Sequence, residues 1–146
     1  TYGAAGLGLM LLGQLLVVME TPSALVPWLL IAAHATSRAA MVLVICVSDY
    51  ARAEGSAAQV SGGPGTHGLI IALVIAAMSM IPLALGAPVG AAVLALAALV
   101  AGALVMHRYA RRKLGGYTGD TLGAVQQVSQ LAFGLGLLAG LRVFAG

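Results

Sequence analysis

Charge is what this chain has least of. Only 8% of its 146 residues are charged and 61% are hydrophobic, against the roughly 25% charged residues of a soluble domain. That deficit excludes a water-soluble globular fold and leaves a membrane protein. Cysteine is nearly absent too: Cys46 stands alone inside an apolar run, so neither a disulfide framework nor a CxxC metal site can be built. Aromatics make up only 5%, and the seven basic residues are scattered rather than interleaved with them; the pattern gives no nucleic-acid-binding surface. The opening TYGAAGLGLMLLGQLLVVM has neither the basic n-region nor the cleavage pattern of a signal peptide.

What is present is hydrophobic length. A helix crossing a bilayer needs about 20 mostly apolar residues, and five windows qualify, roughly 3–19, 24–47, 68–85, 88–106 and 121–141. All five are expected to be helices, because lipid offers backbone groups no other partner. The expected fold class is therefore all-α, a polytopic membrane protein forming one helical domain over 1–146. Thr21-Pro22-Ser23 and Gly86-Ala87-Pro88 mark tight turns, and 55-GSAAQVSGGPGTHG-68 a Gly-rich loop. Glycines at 3, 6, 13, 134, 136 and 140 are expected to let helix backbones approach closely.

If the spans alternate, loops 48–67 and 107–120 share one side and hold Arg52, Arg108, Arg111, Arg112 and Lys113, while loops 20–23 and 86–87 hold no Lys or Arg. The basic side is expected to be cytoplasmic, with Arg142 near the opposite face. The four arginine and lysine residues at 108–113 read as topology signals and lipid-headgroup contacts.

The segment 115-GGYTGDTLGA-124 places one of four acidic residues, Asp120, among glycines ahead of a hydrophobic run. Asp120 and Thr121 are both suited to cap the last helix. A cap does not explain the surrounding Gly115, Gly116, Gly119 and Gly123, which instead permit a ligand to approach the backbone. A phosphate at the helix N-terminus, with Asp120 holding Mg²⁺ against it, is the other reading, and both stay open here. Asp120, Gly123, Gln127, Gln130 and Gly134 share one helix face; the glutamines on it serve either a site or interhelical hydrogen bonding. In the second span His34 and Arg38 lie four residues apart and so on one face. An arginine this deep is expected to face a cavity, a phosphate or a carboxylate. At the end of that span, 49-DYARAEG-55 offers Arg52 for bidentate phosphate contact and Glu54 as a second metal-binding carboxylate.

Taken in order, TYGAAGLGL (1–9), SRAAMVLV (37–44), DYARAEG (49–55) and LGGYTGDTLGAVQQVSQLAF (114–133) resemble the cobalamin synthase family over essentially the whole chain. The TGDTLGA run followed by two glutamines is the specific part. The resemblance implies a multi-pass enzyme of the cell inner membrane, its site facing the cytoplasm. Such an enzyme joins adenosylcobinamide-GDP to α-ribazole or its 5′-phosphate, releases GMP and requires Mg²⁺. Asp120 and Glu54 would hold the metal; Gly116, Thr118, Gly119 and Thr121 the substrate phosphates; Arg38 and Arg52 the phosphate charge. The family also carries an upstream Asp-rich stretch similar to HLDGLADTADG that looks like its main metal site, with Glu54 the weaker carboxylate here, so this chain is expected to be a C-terminal part, inactive alone or binding only phosphate ligands. It departs from the family pattern at Asp49, at Ser56-Ala57 after Glu54-Gly55, and at Gln130. Other readings are a different membrane phosphotransferase acting on nucleotide-activated alcohols, or a small transporter subunit; association of copies stays open.

Overall fold

The structure, a computed structural model, describes residues 2–51 and 63–144. Five helices, α1 (Tyr2–Glu20), α2 (Val26–Val47), α3 (Gly65–Gly86), α4 (Val89–Leu114) and α5 (Gly119–Phe144), make up its regular structure. All five are long and apolar enough to cross a membrane. Among the described residues the one non-helical pairing is an isolated parallel bridge between Tyr50 and Tyr117.

The helices occur where hydropathy expects them, with one difference. α4 runs eight residues past the apolar window, because His107–Leu114 continues the helix outward. Arg111, Arg112 and Lys113 occupy its last turn, where cations complement the helix dipole. Gly115 then ends it in the left-handed conformation, φ 77°, donating its N–H to the Arg111 carbonyl at 3.1 Å.

α5 is the hub, packed on α4, α2 and α1. Its tightest partner is α4. Ala91 meets Gly140, Ala95 meets Gly136, and Gly102 meets the Ser129 backbone, an antiparallel register of small residues that brings the backbones together. Any side chain at Gly140 would strike the Ala91 backbone. The expectation for Gly136 and Gly140 holds, whereas a Cβ built at Gly3 or Gly6 would meet nothing within 4 Å among the described residues. Phe133, Leu137, Leu83, Leu29, Ala91 and Ala95 fill the centre, and a second cluster of Val44, Ala103, Tyr117, Leu122 and Val125 lies toward the α5 N-terminus.

Buried hydroxyls bond their own helices. Thr36 donates to the Ala32 carbonyl at 2.6 Å, Ser129 to Val125 at 2.6 Å and Ser79 to Ala76 at 2.7 Å, so none is left unpaired in an apolar setting. Leucines, isoleucines and valines of α1 and α3 cover the outside, as a lipid-facing surface requires. At the far end Arg142 pairs with Glu20 at 3.7 Å, both exposed.

Candidate functional site

The α5 N-terminus is held by a clamp. After Gly115 the chain turns so that Gly116 lies against the Asp49 carbonyl oxygen, where a Cβ would collide with it. Tyr117 then donates its N–H to the Asp49 carbonyl at 3.0 Å and accepts one from the Ala51 N–H at 2.9 Å. The Tyr50 and Tyr117 rings pack edge to face, centroids 5.4 Å apart. Close packing against the chain thus accounts for Gly116, and the residues leaving α2 are fixed beside the start of α5. Arg52 and Glu54, the next site residues expected from the sequence, lie outside the described residues.

The helix is capped by Thr118 together with Thr121, one of the two residues expected, and not by Asp120. Thr118 Oγ1 accepts the Thr121 N–H at 3.3 Å, while Thr121 Oγ1 accepts the Thr118 N–H at 2.7 Å and donates to the Thr118 carbonyl at 3.0 Å. This reciprocal pair is a capping box built from two threonines. Asp120 therefore sits inside the first turn with its side chain exposed. The threonine hydroxyls are occupied by the cap. The Gly119 and Asp120 N–H groups have no partner among the hydrogen bonds of the described residues, and the space around Gly119 and Gly123 is open. Two free donors, the positive end of a 26-residue helix and an exposed carboxylate thus share one small surface, a setting for anionic oxygen.

Among the described residues no three His, Cys, Asp or Glu side chains gather to hold a metal. Mg²⁺ commonly takes one or two carboxylates and completes its shell with water and substrate phosphate. Asp120 fits one such ligand.

Arg38 belongs elsewhere. It lies about 14 Å along α2 from the helix end at 1.5 Å per residue, while Asp120 is in the first turn of α5 beside that end. The structure does not bring the two to one phosphate. Arg38 Nη1 instead lies 3.4 Å from His34 Nδ1, and His34 Nε2 is 3.3 Å from Gln130 Nε2. Gln130 Nε2 also approaches Gln14 Oε1 at 3.4 Å, and Gln14 donates to Gln127 Oε1 at 2.7 Å. The glutamines on the α5 face do bridge helices, with α1 and α2 as partners. The result is a polar string from α1 through α5 to α2, in a furrow where Gln14, Gln130 and apolar neighbours bound a cavity of about 20 Å³. Gln14 and the tyrosine clamp escaped sequence reasoning. The first is a lone amide in an apolar window; the second joins residues 50 and 117 without any local pattern.

Comparison with known proteins adds a family. The model described as Cobalamin-5-phosphate synthase, CobS, matches residues 1–138. The chain is 37% identical over 145 residues to an adenosylcobinamide-GDP ribazoletransferase of Azorhizobium caulinodans, covering 94% of this chain and 53% of that protein. It is 36% identical to one of Ralstonia nicotianae, covering 88% and 48%, and 43% identical to one of Leptothrix cholodnii, covering 77% and 44%. The chain thus spans about half the length of the curated relatives it matches. No solved structure matches significantly.

Proposed function

The chain belongs to the Cobalamin-5-phosphate synthase family, and from that premise we propose that it supplies the phosphate-handling end of an adenosylcobinamide-GDP ribazoletransferase. In that reaction a hydroxyl of α-ribazole, or of its 5′-phosphate, attacks the cobinamide-side phosphorus of adenosylcobinamide-GDP. The new P–O bond forms as the bond between the two phosphates breaks, GMP departs and the hydroxyl loses its proton. The observation that carries the reading is the exposed Asp120 beside unpartnered N–H groups at a clamped helix N-terminus.

Charge gathers on phosphoryl oxygens during such a displacement, so donors fixed beforehand favour the transition state. The Gly119 and Asp120 N–H groups are those donors, aimed by the Thr118–Thr121 cap and supported by the turn at Gly116. Mg²⁺, with Asp120 and Glu54 as carboxylate ligands, supplies further neutralisation when bound. Arg52, which follows the clamped Ala51 in sequence, adds a bidentate phosphate contact. Arg38 acts at a deeper level. The basic last turn of α4 supports an orientation with this end of the bundle at the cytoplasmic face of the inner membrane.

The test is GMP release from adenosylcobinamide-GDP and α-ribazole by the full-length protein in membranes, with and without Asp120→Asn. We expect a fall on the order of a hundredfold or more at equal protein level. Undiminished activity in the variant would remove Asp120 from the chemistry. An inactive parent protein would remove the reaction.

A further inference from the structure

Arg38 is exposed in the middle of a membrane-spanning helix. At 1.5 Å per residue it lies about 14 Å from the C-terminal end of α2 and about 18 Å from the N-terminal end. Snorkelling does not bring it out. Helical side chains lean toward the helix N-terminus, away from the nearer end here, and Nη1 sits 3.4 Å from His34 Nδ1, one turn farther from that end. Pro27, Ile31, His34 and Arg38 are all exposed and form one stripe along α2 at helical spacing. The amides of Gln130, Gln14 and Gln127 continue this polar surface to α5 and α1. Hydrocarbon is a poor neighbour for such a face, because an ionised side chain at this depth is stable only against a partner or a water-filled cavity.

The described residues hold no anion for Arg38. Their ion pair joins Arg142 to Glu20 at the far end, and Glu20, Asp49 and Asp120 stand in the last turn of α1, just past α2 and in the first turn of α5. The described part of a second copy would bring carboxylates to the same helix ends only. A lipid phosphate stays at the headgroup level, about 15 Å from the centre of an apolar core about 30 Å thick. What can carry an anion to mid-depth is another helix, whose backbone satisfies itself in lipid. The curated relatives have about half their length outside the region matched by this chain. We propose that the α1–α2–α5 furrow is the docking surface for a membrane-spanning helix from that other half of the full-length protein, and that an aspartate or glutamate midway along the helix pairs with Arg38. The inference stands on membership of the family and goes beyond the reaction, so its failure leaves the ribazoletransferase reading intact.

The experiment uses the full-length protein in lipid nanodiscs with the photo-cross-linker benzoylphenylalanine introduced at Ile31, an exposed and uncharged member of the stripe. Light should join it to a peptide outside these 146 residues, on a helix with an Asp or Glu within about two turns of the adduct. Adducts confined to lipid, or to a second copy of this chain, overturn the proposal, as does a cross-linked helix without a carboxylate. This arm leaves Arg38 intact. The second arm is the thermal midpoint of Arg38→Leu in the same nanodiscs. Removing one member of a buried ion pair strands the other, so the midpoint should fall by about 10 °C, and neutralising the cross-linked carboxylate as well should restore most of that fall. An unchanged or raised midpoint is what a guanidinium facing lipid or water would give, and it overturns the pairing. A fall that the second substitution leaves unrestored does the same.

Discussion

Replacing Gly116 by alanine tests whether the clamp, and not α5 alone, organises the α5 N-terminus. The new Cβ collides with the Asp49 carbonyl oxygen, which is fixed backbone and cannot rotate away as a side chain would. Relief requires the two segments to part. That breaks the Tyr117 N–H to Asp49 bond at 3.0 Å and the Ala51 N–H to Tyr117 bond at 2.9 Å, and separates the Tyr50 and Tyr117 rings. At about 1 kcal/mol net per hydrogen bond and about 1 for the ring pair, the clamp loses roughly 3 kcal/mol, or about a hundredfold in its closed population. The helix packing is untouched, because the α4–α5 contacts from Gly102 to Gly140 lie deeper in the bundle. Amide hydrogen exchange in the full-length protein should show Ala51 and Tyr117 losing protection by up to about a hundredfold. GMP release should fall with it while membrane insertion is unchanged. Wild-type protection in the variant would refute the geometry. Lost protection with full activity would separate the clamp from the chemistry.

Gly140→Leu should act on stability instead. It drives a side chain into the Ala91 backbone, an overpacking defect costing about 1–3 kcal/mol or more, and a lowered thermal midpoint in detergent would report it. Sidedness can be read by labelling single cysteines placed at Ser23 and Arg111 in a Cys46→Ser background. A membrane-impermeant thiol reagent applied to intact cells should reach position 23 and spare position 111; the opposite pattern would invert the proposed orientation.

The number and kind of helices were legible because lipid imposes one requirement on every span, enough consecutive apolar residues to cross it. The end of α4 was not, since charge marks where the membrane stops and says nothing about where the helix does. His107–Leu114 stays helical through its charges. The α5 cap was ambiguous for a different reason. Thr118, Asp120 and Thr121 can all accept a first-turn N–H, and only backbone geometry selects Thr118. Glycine spacing identified Gly136 and Gly140 as contact points but gave the same weight to Gly3 and Gly6, where an added Cβ would meet nothing among the described residues. Partner identity was the missing information. The amides of Gln127 and Gln130 were visible in the sequence, whereas their pairing with Gln14 spans more than a hundred residues.

That pairing changes the meaning of the α5 face on which Asp120, Gly123, Gln127, Gln130 and Gly134 lie. Its first turn, with Asp120 and Gly123, is open to solvent. Farther down, Gln127 and Gln130 meet Gln14 and His34, and Gly134 packs against Val17. One face thus runs from an exposed carboxylate beside unpartnered N–H groups to a buried amide in about 15 Å of helix rise. Rotating α5 by half a turn would break both ends at once. The contacts with Ala91 and Ala95 that fix its rotation therefore position Asp120 and Gln130 together.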